Sequence, residues 1–262
     1  MSGSDFKLGK RTAIAILIIA AVTIPTVAIL ATPTGMEGVQ VYIYTDRGIR
    51  ATSQIALEHM FRWMRADVSI IESEDINEGI LDTCDILVMP GGCWCDERCE
   101  LLDDEMPIIR DFIAGGGSYF GIDGGASYAT SFRLGIFNGT HWPAVFSSET
   151  LLMEVGINRE SSGPDLSAEP ETYTMLYRDS GYYLADDMSD INPIATYLDT
   201  DFHCMISFKY GNGTVFLSSL QPEYEEGSDR DGTDAWDTMT DPDSEWPFML
   251  KIARWLVEES VT

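Results

Sequence analysis

The sequence predicts an α/β protein with an open, mainly parallel sheet and helices on both faces, preceded by one N-terminal transmembrane helix. Three observations predict this architecture. Strand-like and helix-like segments alternate after residue 38, glycine-rich turns follow two of the buried strands, and a long uncharged apolar segment comes first. Such alternation implies parallel strands joined by crossover helices. We therefore divide the chain into a cytoplasmic N-terminus (1–11), a transmembrane anchor (12–31), a linker (32–38) and one domain (39–262).

The anchor prediction rests on residues 12–31, which carry no charge. A helix rises about 1.5 Å per residue, so this segment covers about 30 Å, the thickness of a bilayer's hydrocarbon core. Lys7, Lys10 and Arg11 precede it, and the positive-inside rule then places the N-terminus in the cytoplasm and the domain outside the cell membrane. A cleaved signal peptide and a buried core helix are the alternatives, but a signal peptide usually has a shorter apolar region and a small-residue cleavage site.

The charge of the chain excludes some classes of partner. It carries 43 acidic and 16 basic residues, a net charge of −27. Binding of DNA or RNA through a basic surface is therefore not expected, because phosphate contacts need clustered Lys and Arg. An apolar content of 45% is enough for a packed core and excludes a wholly disordered acidic chain. A salt-adapted surface and an ordinary acidic exported domain both fit this composition.

The elements of the domain follow from residue type and spacing. Runs of β-branched and aromatic residues predict strands, and apolar residues at helical spacing predict helices. The predicted strands are 39–45, 68–71, 85–90, 118–122, 173–177, 194–197, 204–209 and 214–219. The predicted helices are 53–64, 106–114, 126–132 and 246–258, and residues 157–171 are predicted to be a loop. Tyr210-Gly-Asn-Gly213 predicts a hairpin turn between the last two strands.

A turn of the form Gly-x-X-x-Gly, Gly121-Ile-Asp123-Gly-Gly125, directly follows the predicted strand 118–122. Glycines at these positions allow a sharp turn that holds the central side chain in a strained conformation at the carboxyl end of the sheet. Open α/β sheets bind ligands at that edge. The central residue is Asp123, which could act in chemistry or could simply cap the following helix.

Two further segments point to the same edge of the sheet. Gly91 and Gly92 follow another buried strand, and their backbone N–H groups, with that of Gly124, are candidates to bind an oxyanion or a ligand. The late segment that begins at Gly211 ends in Gln221-Pro-Glu223. His141 and the aromatic residues Tyr182, Tyr183 and Tyr224 are candidates for the lining of a pocket, although core packing explains them equally well.

At these three places the sequence resembles the class I glutamine amidotransferase-like superfamily, and most closely the domain at the N-terminus of some biotin-protein ligases. That family shows a P-G-G loop, a G-I-C-A-G-A-Y elbow and a late G-x-G-x-x-x-L-S-x-x-H-P-E segment, in this order. The agreement extends from about Val39 to Val257. The resemblance implies a flavodoxin-like fold. It also implies that the Cys, His and Glu of the family's catalytic triad correspond to Asp123, Gln221 and Glu223.

The two substitutions remove the groups that handle protons in such a triad. A thiol becomes a nucleophile because a histidine takes its proton and a carboxylate orients the histidine. We therefore expect a domain that binds a small ligand or a protein partner and does not turn it over. Two alternatives stay open: a hydrolase or amidase that uses Asp123 with Glu223, and a structural component of the cell envelope. The two carboxylates could also share a proton or hold a cation.

An acidic segment near the C-terminus is a candidate for calcium binding. Asp229, Asp231 and Asp234 form a D-x-D-G-x-D pattern, and hard oxygen ligands at short spacing with a glycine for the turn are typical of calcium loops. No other cofactor is predicted. A solvated acidic loop is the alternative.

Three cysteines, Cys93, Cys95 and Cys99, lie within one short segment. An exported domain would allow them to oxidise, so they are disulfide candidates. A zinc site is less favoured, because the spacing is not that of a zinc knuckle and no fourth ligand is evident.

Overall fold

The computed structural model describes residues 35–46, 48–92, 104–142, 149–241 and 243–260, all within one compact unit, Pro33–Thr262. The predicted anchor, residues 12–31, and the disulfide candidates Cys93, Cys95 and Cys99 lie outside the described residues. Within the described ranges, no helix is both long enough and apolar enough to cross a membrane.

The secondary structure alternates between strands and helices in the first half and is mostly strand in the second. The strands are β1 (Gln40–Tyr44), β2 (Asp67–Ile71), β3 (Ile86–Met89), β4 (Ser118–Ile122), β5 (Thr140–Trp142), β6 (Thr150–Ile157), β7 (Thr172–Arg178), β8 (Tyr182–Leu184), β9 (Ile191–Tyr197), β10 (His203–Tyr210) and β11 (Gly213–Ser218). The α-helices are α1 (Ala51–Trp63), α2 (Ser73–Asn77), α3 (Met106–Ala114), α4 (Gly124–Tyr128) and α5 (Trp246–Glu259). Short 3₁₀ turns occur at Ile80–Thr83 and Asp229–Asp231.

Nine of these strands form one mixed sheet in the order β2-β1-β3-β4-β11-β10-β9-β6-β7. The first five are parallel to one another, and each strand from β10 onward runs antiparallel to its neighbours in the sheet. The predicted α/β sheet is therefore confirmed, but its parallel part ends at β11. Short turns such as Tyr210–Gly213 explain the change, since a tight hairpin can join only antiparallel strands.

Both faces of the parallel part are covered, because successive side chains on a strand point to opposite faces. On β1, Val41 and Ile43 belong to the same core cluster as the buried residues of α1 and α5. Tyr42 and Tyr44 belong to the opposite core, with the buried residues of α2, α3 and α4. This double burial accounts for the nearly continuous apolar sequences of β3 and β4.

Most differences from the predicted elements concern the second half and the helix after the elbow. Strand β6, which pairs with β7 over most of its length, was not predicted from the sequence. Helix α2 and the small sheet of β5 and β8 were not predicted either. Helix α4 begins two residues before its predicted start, because the turn at Asp123 leads into the helix without a linker.

Candidate functional site

Asp123 forms the turn between β4 and α4 at the carboxyl end of the parallel strands. Its φ of 48° and ψ of −110° lie in a region that residues other than glycine rarely adopt. Backbone hydrogen bonds hold it there: its N–H donates to Ser218 O at 2.8 Å, and its carbonyl accepts from Ser127 N–H at 3.0 Å. The strained turn predicted from the glycine spacing is therefore present, and backbone groups maintain it.

The last glycine of this turn is needed for the close approach of α4 to β3. The N–H of Gly125 donates to Pro90 O at 3.1 Å. A Cβ atom at Gly125 would lie 2.0 Å from Met89 O, a distance that no side chain can tolerate. The absence of a side chain at Gly125 therefore allows α4 to pack closely against the end of β3.

The side chain of Asp123 pairs with Arg50, a residue that sequence reasoning did not identify. Arg50 Nη1 lies 3.2 Å from Asp123 Oδ2, and both side chains are mostly buried, at 25% and 18% exposure. Asp123 makes no side-chain capping bond to α4, so helix capping is not its role in this structure. Burial raises the pKa of Asp123, and the positive charges of Arg50 and Arg178 oppose that rise.

A hydrogen-bonded chain connects the Gly91 loop to Glu223. The N–H of Gly91 donates to Ser53 Oγ at 2.9 Å, and Ser53 Oγ donates to Glu223 Oε1 at 2.7 Å. Since Ser53 already accepts from Gly91, this N–H is not available to an oxyanion in this arrangement. A Cβ at Gly91 would lie 3.0 Å from Asp123 Oδ2, so the loop passes directly over the elbow carboxylate.

Glu223 is fully buried, and its second oxygen, Oε2, has no hydrogen-bond partner among the described residues. Burial raises the pKa of Glu223 to about 8, and the charge of Asp123 adds to the rise. The carboxyl is therefore mostly protonated at neutral pH. Asp123 pairs with Arg50 and Glu223 bonds to Ser53, so the two acids have separate partners although the charge of Asp123 acts on Glu223.

Gln221 lies at the position where the resemblance places a catalytic histidine. Its side chain is fully buried, and within the described ranges neither its amide oxygen nor its amide nitrogen has a hydrogen-bond partner. Its backbone N–H donates to Leu176 O at 3.1 Å. A carboxamide does not take up a proton near neutral pH, so Gln221 can bind or orient a group but cannot act as a general base.

His141 is the histidine that the fold brings next to the elbow. Its Nδ1 lies 2.5 Å from Ser127 Oγ, and this hydroxyl donates its hydrogen to Asp123 O at 3.2 Å. The ring stacks on Tyr183 with centroids 5.1 Å apart. Burial lowers the pKa of His141 to about 4. The imidazole therefore contacts the hydroxyl of the elbow helix rather than the Asp123 carboxylate.

The remaining thiols and imidazoles of the described residues lie elsewhere. Cys84 and Cys204 are free and buried in the two core clusters. His203 Nδ1 bonds to Thr196 Oγ1 at 3.0 Å on the antiparallel strands, and His59 lies beside Gly232. None of these groups is bonded to the side chain of Asp123.

Arg178, at the end of β7, is a second cation near the elbow. Its guanidinium lies 5.7 Å from the centroid of the Trp236 ring, and its charge lowers the pKa of Asp123. Its buried Nη1 has no hydrogen-bond partner in the described part of the chain. Only its place at a strand end, next to a tyrosine-rich segment, could have indicated this residue from sequence.

The other candidates for the pocket and the oxyanion site are dispersed. Tyr224 bonds through its hydroxyl to Thr52 Oγ1 at 2.9 Å, close to Arg50. Tyr182 stacks on Phe202 instead. Gly92 forms a β-bridge with Ile49, and Gly124 is the buried first residue of α4.

The acidic segment does not bring the predicted calcium ligands together. The carboxylate of Asp231 is buried and accepts backbone N–H groups from Glu225 at 3.1 Å and Thr233 at 2.9 Å. Asp229 and Asp234 are exposed. The structure instead groups Asp241, Asp243 and Glu245, a set that the D-x-D-G-x-D pattern does not include.

Comparison with known proteins identifies a family for the first part of the domain. The model of the family "Biotin-protein ligase, N terminal" matches residues 39–140, which include the Gly91 loop and the elbow. A search of curated protein sequences finds no match.

Solved structures with the same fold include a glutamine amidotransferase from Thermotoga maritima, with a TM-score of 0.57 and 12% identity over 85% of this chain and 90% of that one. A cytoplasmic protein from Salmonella typhimurium LT2 has a TM-score of 0.52 and 11% identity over 83% of this chain and 98% of its own. At such identities the likeness concerns the fold alone. With the family match, which includes the Gly91 loop and the elbow but not the late segment that ends at Glu223, it confirms the resemblance to this group of proteins.

Proposed function

We propose that this chain, a glutamine amidotransferase-like domain whose residues 39–140 are of the biotin-protein ligase N-terminal type, binds a ligand at its elbow without hydrolysing it. The observation that carries the proposal is the ion pair between Asp123 and Arg50. It fills the position where a catalytic member would present a thiol. The favoured ligand is a small polar molecule, and a protein partner that inserts a polar side chain is the second form of the proposal.

The case against turnover rests on proton transfer. At the base position Gln221 cannot take up a proton. His141 bonds to Ser127, and because its pKa is lowered to about 4 it is a weak base. Loss of either the nucleophile or the base of a triad lowers the rate by about 10⁴-fold or more. The hydrolase alternative, in which Asp123 acts with Glu223, has no described imidazole bonded to either carboxylate to activate water.

The case for binding rests on buried polar atoms that have no partner among the described residues. Around the elbow they include Arg178 Nη1, Glu223 Oε2, His141 Nε2 and both amide atoms of Gln221; Arg50 Nη1 and Asp123 Oδ2, the two atoms of the ion pair, also lack a well-aligned hydrogen bond. Buried polar groups nearly always have hydrogen-bond partners, and an exception indicates a bound group. Arg50 pairs with Asp123, and Arg178, which forms no ion pair within the described residues, provides a second positive charge near the elbow. A ligand that carries a carboxylate would suit it, because guanidinium and carboxylate form bidentate hydrogen bonds.

The same proposal includes attachment to the membrane. Its support is the uncharged apolar segment 12–31 with three basic residues before it. This arrangement would place the domain outside the cytoplasm. Membrane fractionation and protease accessibility of the full chain in intact cells would test it. Cleavage of the domain only after the membrane is opened would contradict the proposed orientation.

The activity test uses the full chain in mild detergent with L-glutamine. We expect no ammonia release above the rate in buffer, either for the natural chain or for Asp123→Asn. Turnover at ordinary enzyme rates that Asp123→Asn abolishes would contradict the non-catalytic proposal.

The binding test uses L-glutamate, L-glutamine and succinate as probes in calorimetry. We expect at least one carboxylate to bind, and Arg178→Gln to weaken it at least tenfold. Arg159→Gln, which removes an exposed arginine, is the matched control and should leave affinity unchanged. Equal losses in the two variants, or no binding of any probe, would contradict the small-ligand form.

A further inference from the structure

The segment before α5 brings three carboxylates together. Carboxylate oxygens of Asp241, Asp243 and Glu245 all lie within 4.8 Å of one another. The cluster extends from the surface into the protein, since Asp243 is exposed whereas Glu245 is only 2% exposed. Glu245 Oε1 is inaccessible to solvent and has no hydrogen-bond partner in the described ranges. Three like charges this close repel one another strongly unless they are protonated or a positive charge lies between them.

Glu226 is independent support for a ligand at this cluster. It lies outside the short Asp241–Glu245 segment, is only 7% exposed, and neither of its carboxylate oxygens has a hydrogen-bond partner among the described residues. The charge of Glu226 raises the pKa of Glu245, and the charge of Asp241 raises the pKa of Glu226. A fourth buried carboxylate therefore lies near the cluster, outside the group of oxygens within 4.8 Å of one another. Burial of a carboxylate without a partner is costly, so such a group is protonated, paired or bound to a metal, and burial raises the pKa of Glu226 to about 8.

The neighbouring basic side chains have other partners. Arg230 Nη1 lies 2.9 Å from Glu225 Oε2, and the Arg230 guanidinium lies over the ring of Trp246, 4.3 Å from its centroid. Lys251 forms an ion pair with Glu169. These cations therefore serve other carboxylates and do not neutralise the four of the cluster.

We propose that Asp241, Asp243, Glu245 and Glu226 bind one Ca²⁺ ion. All four offer hard oxygen ligands, and the set contains no imidazole or thiolate, which excludes a typical zinc site. Ca²⁺ accepts six to eight oxygens in a flexible geometry, so backbone carbonyls and water would complete the shell. The alternating Asp-x-Asp-x-Glu order places successive ligands on one short stretch of chain, as in other calcium loops.

The position of the cluster gives the ion a role at the elbow. Trp246 follows Glu245 directly and donates its Nε1–H to the backbone carbonyl of Glu223 at 3.0 Å. A cation bound by Glu245 would fix the start of α5, and Trp246 would transmit that constraint to the Glu223 segment. The ion is thus structural, and its binding does not depend on the ligand proposed for the elbow.

The test uses the full chain in mild detergent with CaCl₂, MgCl₂ or a chelator. We expect Ca²⁺ to raise the melting temperature and Mg²⁺ to bind at least tenfold more weakly. Terbium(III), a Ca²⁺ substitute, should give luminescence excited through Trp246. The double variant Asp241→Asn/Asp243→Asn should lose at least tenfold in Ca²⁺ affinity and should abolish the terbium signal.

Two features keep the test decisive. In chelator the double variant should melt above the natural chain, because it removes repulsion, so loss of Ca²⁺ binding cannot be attributed to misfolding. The control variant Asp229→Asn/Asp234→Asn removes two exposed charges shortly before the Asp241–Glu245 segment and should bind Ca²⁺ with the affinity of the natural chain. The proposal is wrong if Ca²⁺ leaves the melting temperature unchanged, if Mg²⁺ binds equally well, or if the Asp229/Asp234 control loses binding while the Asp241/Asp243 variant keeps it.

Discussion

Replacement of Glu223 by glutamine should change how stability depends on pH. Burial raises the pKa of Glu223 from 4.5 to about 8. Between these values the unfolded chain has released a proton that the folded chain still holds. Stability from this group is therefore fully present below pH 4.5 and is lost as the pH rises towards 8. Each pH unit in that range costs about 1.4 kcal/mol, so the full span sets a ceiling of about 5 kcal/mol.

Glutamine removes this dependence without removing the contact. Its amide oxygen can accept the hydrogen bond that Ser53 Oγ donates to Glu223 at 2.7 Å. We therefore expect Glu223→Gln to be close to neutral at pH 5 and to stabilise the domain increasingly above pH 6. The effect should level off near pH 8.

The assay is urea unfolding of the full chain followed by tryptophan fluorescence at pH values from 5 to 8.5. The quantity of interest is the difference in unfolding free energy between Glu223→Gln and the natural chain, because other buried acids contribute equally to both. Glu160→Gln, at an exposed position, should give a difference near zero at every pH. Parallel pH profiles for Glu223→Gln and the natural chain would refute the reasoning that Glu223 is buried in its protonated form.

Three further predictions concern the elbow. Asp123→Ala leaves Arg50 mostly buried without its carboxylate and should lower the unfolding free energy by about 1–3 kcal/mol. The double variant Arg50→Met/Asp123→Ala, which leaves no unpaired charge, should lose less unfolding free energy than Asp123→Ala alone. Denaturant titration would measure both losses, and equal losses would count against the pair. Gly125→Ala would place a Cβ 2.0 Å from Met89 O and should lower the unfolding free energy by more than about 4 kcal/mol, which a fall in melting temperature would show. Gly135→Ala is the comparison: its position has open space but a positive φ, so the fall should be smaller. Burial lowers the pKa of His141 to about 4, so ¹⁵N NMR of the imidazole should find it neutral down to pH 5. The unfolding free energy should fall as the pH drops from 6.5 towards 4, because only the unfolded chain takes up the proton in that range. An imidazole that titrates near 6.5 would show that the ring is exposed.

The elbow could be predicted from the sequence because its causes are local. Gly121 and Gly125 lie at fixed spacing around Asp123, directly after a buried apolar strand, and the turn they form depends mainly on those few residues. The Gly91 loop is predictable for the same reason. Both lie at the carboxyl ends of parallel strands, so their meeting follows once the alternation of strands and helices is known.

The partners of Asp123 could not be predicted, because they come from distant parts of the chain and belong to no motif. Arg50 precedes α1 and Arg178 ends β7, the edge strand five positions from β4 in the sheet, yet the charges of both act on Asp123. In the acidic segment 229–234, by contrast, a local pattern was present but did not predict the cluster that the structure forms. Its D-x-D-G-x-D spacing suggests ligands, but Asp231 satisfies backbone N–H groups, and the cluster forms farther along the chain.

The backbone conformation of the elbow does not depend on the side chain at its tip, and the reason lies in the hydrogen bonds that hold it. The unfavourable backbone conformation of Asp123 is maintained by hydrogen bonds from its N–H to Ser218 and from Ser127 to its carbonyl, and none of these involves the side chain. Exchange of a thiol for a carboxylate therefore leaves the turn intact, provided that the new charge finds a partner. Arg50 supplies that partner at 3.2 Å, and the strained conformation then serves to present an ion pair at the edge of the sheet where such folds bind their ligands.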